Sequence, residues 1–266
     1  MGIEFKRNLI RIYENIKLFG FDPVSFINSV LGLRFYIHDF LLIKKQKGSD
    51  STFYFGQKRP MLGERFSESG TMYGHYFHQD LFVASRIFKN NPKRHLDIGS
   101  RTDGFVAHVA IFREIEVIDI REQKSKVKNI VFRKADLMQL PVDMINNYDS
   151  ISSLHSVEHF GLGRYGDSVD YYGYLKGLKN ITKILKNAGR FYFSVPIGKQ
   201  RIEFNAHRVF SVGYLLDLLK DDYILDSFSF VDDNGDFFEE VELTQSEIDR
   251  NYGCHYGCGI FELTKN

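Results

Sequence analysis

The sequence has little cysteine, little net charge and no long apolar run, and each shortage argues against a class of protein. Its 266 residues contain two cysteines, Cys254 and Cys258, which are too few for a disulfide scaffold. His255 lies between them, so a metal site with distant partners remains an alternative to two buried thiols. The formal net charge is +1, without the basic excess by which nucleic-acid binders contact phosphates. We therefore expect no nucleic-acid partner.

Membrane and secretory signals are also missing from the pattern. The most apolar stretch, residues 35–43, includes His38 and Asp39 and is far shorter than the ~20 residues of a spanning helix. The N-terminus lacks the pattern of a signal peptide. With 43% hydrophobic and 26% charged residues, the composition is that of a globular protein. We expect a cytoplasmic protein without a transmembrane segment, and a homodimer is compatible with it.

The first 76 residues differ in pattern from the rest. Apolar spacing predicts helices over residues 3–47, with a new start at Asp22–Pro23 and an interruption at Gly32. Residues 48–76 are rich in glycine and predict a long irregular, lid-like segment. We therefore expect residues 1–76 to form N-terminal helices followed by this segment.

Strand-like and helix-like runs alternate in the remainder of the chain. The predicted strands are His95–Ile98, Glu116–Ile120, Asn129–Arg133, Tyr148–Leu154, Arg190–Val195, Tyr223–Val231 and Gly259–Leu263. The predicted helices are His78–Asn90, Phe105–Phe112, Tyr171–Lys186 and Val212–Leu219. This order predicts an α/β fold with a Rossmann-like, doubly wound, seven-stranded and mostly parallel sheet. The last two strands suit an antiparallel edge.

The turn after the first strand predicts a ligand site. Ligands of such sheets bind outside the carboxyl ends of the strands. Gly99 lets the backbone pass close to a ligand, with Ser100 beside it, and Asp97 can bind a cationic amine. A pyrophosphate-binding turn would have the pattern G-x-G-x-x-G, whereas this turn has only Gly99 and Gly104. A positively charged ligand without phosphates therefore fits better than a dinucleotide.

Acidic residues also follow the next two strands. Asp119, beside Ile120, lies 22 residues beyond Asp97, close to the ~20-residue spacing at which an acid meets ribose hydroxyls. Asp136 can accept a hydrogen bond from an adenine amino group, and Leu137 can pack on the ring. Three acids at successive strand ends favour an adenosine-containing ligand.

These features resemble those of class I S-adenosylmethionine-dependent methyltransferases. The matching segments are 95–99, 117–119, 135–137, 149–154 and 185–190. The resemblance covers about residues 77–264 and implies a methyltransferase domain over residues 77–266. It implies S-adenosyl-L-methionine as cofactor, S-adenosyl-L-homocysteine as product and Leu154 beside the cofactor. It also places His78 or Gln79 at the methionine carboxylate, although helix capping explains that segment equally well.

A cluster after the fourth strand is the candidate base. Transfer to an alcohol benefits from a His or carboxylate within hydrogen-bond reach. His155, Glu158 and His159 have the spacing of one helical face. We predict His155 or Glu158 as the base, with His207 as a rival. A divalent metal could use the same cluster and local hydrogen bonding could also explain it; no metal site is assigned.

Polar residues of two loops are predicted to bind the acceptor. Arginine and lysine there can bind an anion such as a pyrophosphate, while amide and imidazole groups can bind hydroxyls. The predicted substrate-binding residues are His159, Arg164, Lys199, Arg201, Asn205 and Arg208.

The acceptor itself follows from a second resemblance. Residues 155–167 together with 204–210 resemble bacterial methyltransferase-like proteins associated with surface-polysaccharide synthesis. That resemblance implies O-methylation of a sugar hydroxyl, on a nucleotide-activated sugar such as a GDP-heptose-type sugar, for capsule or another polysaccharide. The alternatives are a methyltransferase for another small molecule and a catalytically inert cofactor-binding assembly protein.

Overall fold

The structure is a computed structural model that describes residues 12–13 and 15–266. The chain divides into two compact units, Met1–Thr71 and Met72–Asn266. Each unit is described by itself below.

The first unit is built on one long helix, α1, at Pro23–Lys47. Its start is capped as expected, because the Asp22 side chain accepts hydrogen bonds from the Val24 and Ser25 amides. The predicted interruption at Gly32 is wrong, since the helix continues through it. A Cβ there would collide with the Leu62 carbonyl, so the glycine serves close packing. The start of the predicted helical region, before residue 12, lies outside the described residues.

Helix α1 also changes the expectation about membranes. Among the described residues it is the one helix long and apolar enough to cross a membrane, judged by length and composition only. This length was not expected from the sequence, because Gly32 divides the apolar stretch. Core helices of soluble proteins and N-terminal signal sequences pass the same test. After α1 the unit has a short 3-10 turn at Glu64–Phe66.

The second unit alternates helices and strands around one sheet. Its helices are α2 (His75–Asn90), α3 (Ala107–Ala110), α4 (Gly173–Ile184), α5 (Val212–Leu219) and α6 (Gln245–Asp249). Its first strands are β1 (His95–Ile98), β2 (Ile115–Asp119), β3 (Ile130–Lys134), β4 (Tyr148–Leu154) and β5 (Leu185–Ile197). The later strands are β6 (Arg201–Glu203), β7 (His207–Val209), β8 (Tyr223–Val231), β9 (Phe237–Phe238) and β10 (Gly257–Lys265).

The main sheet has the order β3-β2-β1-β4-β5-β10-β8-β9 within the described residues. The five strands β1 to β5 pair in parallel with their neighbours. Strand β10 pairs antiparallel with both β5 and β8. The expected seven strands are therefore joined by the two-residue β9, and β6 and β7 form a separate hairpin. The order reverses between β1 and β4, which creates the crevice where doubly wound sheets bind ligands.

Helices cover both faces of the sheet, as a doubly wound fold requires. On one face α2, α3 and the π-helical turn Thr102–Val106 pack through residues such as Ile87 and Phe105. On the other face α4 and α5 pack through Ile181 and Leu215 against strand residues that include Phe193. These side chains are fully buried. The two apolar layers hold the carboxyl ends of β1 to β4 in place.

Several predicted boundaries need correction. Helix α2 begins at His75, three residues before the prediction, because Gly74 has a φ of 87° and ends the preceding loop. The predicted helix 105–112 begins instead as the π-helical turn at Thr102. Strand β5 begins at Leu185, so the last predicted turn of the preceding helix belongs to the strand.

Candidate functional site

A cleft lies at the carboxyl ends of β1, β2 and β4. Its narrow, mostly apolar part has a cavity volume of ≈ 60 Å³ and reaches between β1, β2 and the residues after β3. Its wider polar part has a volume of ≈ 430 Å³ and includes the start of α2. We call these the inner and outer pockets; Gly99, Asp119, Arg121, His155, His159 and Tyr165 line both.

Gly99 forms the floor shared by the two pockets. Its φ of 69° lies in the left-handed region, and a Cβ would lie 3.2 Å from the Cβ of Ser156 and collide with its hydroxyl. Ser100 and Leu154, both predicted to bind cofactor, line the outer pocket. The strand-and-turn segment therefore reaches the cleft as the sequence predicts.

Asp97 lies beneath this turn and does not line the cleft. It is fully buried, and its carboxylate accepts hydrogen bonds from the Ser100 and Ser152 hydroxyls at 2.6 Å each and from the Ser100 amide at 3.1 Å. The Leu154 amide in turn donates to the Ser100 hydroxyl. Burial raises the pKa of Asp97 to about 6, despite these hydrogen bonds. The carboxylate ties β1 to β4 and leaves no oxygen facing a ligand.

Asp119 ends β2 at the junction of the two pockets. Arg121 binds it with two parallel hydrogen bonds, Nε to Oδ1 at 2.9 Å and Nη2 to Oδ2 at 2.7 Å. The same guanidinium lies 4.4 Å from the centre of the Tyr165 ring. Arg121 and Tyr165 together form a polar and aromatic edge of the inner pocket, which the sequence analysis did not identify.

The inner wall is formed by the residues that follow β3. Asp136 and Leu137 both line it, together with Ile120 from the end of β2. Oδ1 of Asp136 accepts the Met138 amide at 2.9 Å, which fixes the turn. An acid beside apolar side chains is the environment predicted for a purine ring.

The start of α2 contributes other residues than expected. Tyr76 lines the outer pocket, and the Arg101 guanidinium lies 4.9 Å from its ring centre. His78 stacks on Phe237 at 5.5 Å and does not line the cleft. Gln79 is buried, and its Oε1 accepts the Ser194 hydroxyl at 2.6 Å. On the helix, position 78 faces away from position 76. Gln79 lies on the same side as Tyr76, but its side chain is buried against Ser194.

His155 and Glu158 form a buried pair beside the cleft. His155 has a φ of 51° at the end of β4, and its Nδ1 lies 2.9 Å from Oε1 of Glu158. Burial raises the pKa of Glu158 to about 7 and lowers the pKa of His155 to about 4. Among the described residues, Nε2 of His155 and Oε2 of Glu158 have no hydrogen-bond partner. His155 is the member of the pair that lines both pockets.

His159 and Arg164 close the loop after this pair. Nδ1 of His159 donates to the Ala206 carbonyl at 2.7 Å, and Arg164 donates to the same oxygen at 2.9 Å. Both side chains line the outer pocket. Of the predicted acceptor-binding residues, these two reach the cleft.

A stack of rings continues from His155 away from the pockets. The His75 and His155 rings are parallel within 4°, with centroids 5.2 Å apart. The centre of the Tyr256 ring lies 5.4 Å from that of His75 and 4.9 Å from that of His207. His207, the predicted rival base, lines neither pocket, and its Nε2 lies 3.3 Å from Oε2 of Glu203.

The basic residues predicted to bind an anion have other partners. Arg208 is buried and donates to the carbonyls of Glu158, Phe160 and Tyr171. Its guanidinium supports the loop after β4 instead of facing the cleft. The sequence shows that residue 208 is basic, but it does not show that the guanidinium of Arg208 is bound to three backbone carbonyls.

The other residues of that loop are also away from the pockets. Arg201 pairs with Glu203 at 2.7 Å and donates to the His255 carbonyl at 3.0 Å. Lys199 and Asn205 are exposed and line neither pocket. The β6–β7 hairpin contributes the Ala206 carbonyl, which holds His159 and Arg164 beside the outer pocket, but not these two side chains.

The fold and its cleft define a class. A reversed strand order, a glycine turn after β1 and acids at the ends of β2 and β3 are the features of the Rossmann-like fold of class I S-adenosylmethionine-dependent methyltransferases. A similar solved structure is the 1,6-didemethyltoxoflavin-N1-methyltransferase of Burkholderia thailandensis, crystallised with 1,6-didemethyltoxoflavin and S-adenosylhomocysteine. It is 12% identical, with a TM-score of 0.51 over 88% of this chain and 89% of that chain. At this identity the likeness concerns the fold.

The family is shown by sequence. The profile of the family described as "Caenorhabditis protein of unknown function, DUF268" matches residues 103–254, and the chain belongs to that family. A second solved structure, the N-methyltransferase NodS from Bradyrhizobium japonicum WM9 with S-adenosyl-L-homocysteine, is 10% identical with a TM-score of 0.47 over 85% of this chain and 97% of that chain. No curated protein matches the sequence. The match is to DUF268 and not to a named sugar methyltransferase family.

Proposed function

We propose that this protein binds S-adenosylmethionine in the cleft and transfers its methyl group to a small-molecule acceptor. The observation that supports this most is the side-by-side placement of Gly99, Asp119 and Asp136 around one cleft. The fold supports the same cofactor, because its crevice lies at the carboxyl ends of β1 and β4.

Each part of the cleft suits one part of the cofactor. The inner pocket offers Leu137 and Ile120 as apolar walls for the adenine, with Asp136 to accept its amino group. In this proposal Asp119 accepts the ribose hydroxyls. In the outer pocket Arg101 provides a cation for the methionine carboxylate. The cofactor supplies a methyl group on a sulfonium, which makes that carbon an electrophile.

Ribose binding at Asp119 requires an exchange of partners. Both carboxylate oxygens are hydrogen-bonded to Arg121, so the hydroxyls would replace that bidentate pair. The Arg121 side chain is 54% exposed and that of Asp119 is 15% exposed. The arginine can therefore turn to solvent while the carboxylate stays in the cleft and accepts the ribose hydroxyls.

We further propose an acceptor hydroxyl, with a sugar as the leading class. An alcohol loses a proton as the oxygen–methyl bond forms and the carbon–sulfur bond breaks, and the buried His155–Glu158 pair has two unpartnered atoms that can take it. A nucleotide-activated sugar remains the finer form of this proposal. Its diphosphate would have to meet Arg164 in the outer pocket, since Arg101 is assigned to the cofactor and Arg208 has other partners.

Calorimetry with S-adenosylhomocysteine tests the cofactor site. Asp119→Asn should weaken binding by roughly tenfold to a hundredfold, because hydrogen bonds to a charged group contribute about 1.5–3 kcal/mol. Arg121→Ala is the matched control: it frees the carboxylate and should leave the affinity equal or higher. Equal losses in both variants would mean that the ion pair shapes the loop, and unchanged affinity in Asp119→Asn would remove Asp119 from the ribose.

A turnover assay tests the acceptor separately. The protein is incubated with labelled S-adenosylmethionine and a panel of nucleotide sugars, free sugars and amines. Product with a sugar, lost in Glu158→Gln, supports the hydroxyl acceptor. Turnover with amines alone would overturn the sugar proposal and leave methyl transfer standing.

A further inference from the structure

We propose that His75, His155 and Cys258 form a binding site for a transition-metal ion of the Zn²⁺ type beside the cleft. One ligand atom from each of the three side chains lies within 4.8 Å of the others. The residues come from the start of α2, the end of β4 and β10, which the sheet brings together from distant parts of the chain.

The orientation of His155 is that of a metal ligand. Its Nδ1 is held by Oε1 of Glu158 at 2.9 Å, while its Nε2 is buried and has no hydrogen-bond partner among the described residues. A histidine bound to a metal usually donates its other ring N–H to a carboxylate or a backbone carbonyl. The Glu158 contact sets the tautomer that leaves a lone pair on Nε2. Only 3% of the His155 side chain is exposed, so water reaches this atom poorly.

His75 is the second ligand. Its ring lies parallel to the His155 ring, and the centre of the Tyr256 ring is 5.4 Å away. Neutral imidazole is the form of histidine that coordinates metals.

Cys258 supplies a soft third ligand. It is fully buried, and its Sγ lies 3.5 Å from Oε1 of Gln79. Two imidazoles and one thiolate favour Zn²⁺ over Mg²⁺ or Ca²⁺, which prefer oxygen. Binding replaces the S–H bond by a sulfur–metal bond, and the proton leaves to solvent.

The geometry leaves room for a fourth ligand. A tetrahedral ion with bonds of ~2.0–2.3 Å holds neighbouring ligand atoms roughly 3.5 Å apart, so the three side chains need to close by about an ångström. Three protein ligands and one open position are typical of catalytic zinc. Because His155 lines both pockets, the ion would lie beside the cleft and would fix the ring of this wall residue.

Metal titration of the full chain, without either methyltransferase substrate, tests the site. Chelator-stripped protein is titrated with Zn²⁺ while bound metal is measured, and then with Co²⁺ while thiolate-to-cobalt charge-transfer absorption is recorded. We expect one ion per chain and the thiolate band. Cys258→Ser should abolish the band, and His75→Ala and His155→Ala should weaken affinity at least tenfold. The matched controls Cys254→Ser and His255→Ala should retain both.

The outcomes separate this site from its alternatives. Tight binding that Cys254→Ser or His255→Ala removes would overturn the assignment in favour of the neighbouring cysteine and histidine. Absence of stoichiometric binding, or a Co²⁺ spectrum without the thiolate band, would overturn it directly in the wild-type protein, whatever the folding of the variants. Metal binding does not require methyl transfer. An unchanged affinity of Asp119→Asn in the calorimetric test therefore does not count against the metal site, and absence of metal binding does not count against the cofactor site.

Discussion

Replacement of Gly99 by alanine tests whether the turn after β1 shapes the cleft. The residue has a φ of 69°, and a side chain in the left-handed region costs roughly 1–2 kcal/mol. The new methyl group would also meet the Ser156 side chain, whose Cβ would lie 3.2 Å away. Ser156 is 6% exposed, so it has little space to move, and overpacking of this kind costs about 1–3 kcal/mol.

The sum is a loss of about 2–5 kcal/mol in the free energy of unfolding, a large share of the ~5–15 kcal/mol typical of a domain. Urea denaturation should give a lower midpoint with an unchanged slope, and calorimetry should give weaker S-adenosylhomocysteine binding. In Gly99→Ala/Ser156→Ala the hydroxyl contact is gone but the Cβ contact stays, so most of the steric part should be recovered while the backbone part remains. A Gly99→Ala protein within ~0.5 kcal/mol of wild type, with unchanged affinity, would refute the reasoning.

Two further predictions concern buried charges outside the ligand positions. Arg208→Met should lower the free energy of unfolding by about 3 kcal/mol, because the carbonyls of Glu158, Phe160 and Tyr171 lose a charged donor; a loss below ~1 kcal/mol in urea titration would contradict it. The pKa of Asp97 is raised to about 6 from 3.8, so the folded state keeps its proton at pH values where the unfolded state has lost it. The stability conferred by the protonated form is therefore lost as the pH rises from about 4 to 6. The unfolding free energy of wild type relative to Asp97→Asn should therefore fall by up to ~3 kcal/mol over that range, and a flat difference would count against it.

The strands were predictable because a buried strand has a signal in its own short stretch of sequence. Tyr148–Leu154 and Tyr223–Val231 have the predicted bounds, since apolar runs between polar turns mark strands of a covered sheet. The positions of Asp119 and Asp136 in one cleft follow from the same fact, because parallel strands end at a common edge.

The rest depends on contacts that no local pattern records. Cys258 meets His155 because β10 enters the sheet beside β5, and an antiparallel insertion of this kind leaves no mark in the sequence near either residue. Asp97 was predicted to bind a ligand because a carboxylate after a strand usually can. Its three serine hydrogen bonds depend on packing between β1 and β4, which spacing alone does not give.

The insertion of β10 also has a consequence for the order of folding. Its partners β5 and β8 are made earlier in synthesis, and each pairs with β10 along most of its length. Until residues 257–265 emerge, those two strands present unpaired backbone edges that invite pairing with other chains. The nascent chain therefore passes through a stage in which the middle of its sheet is open.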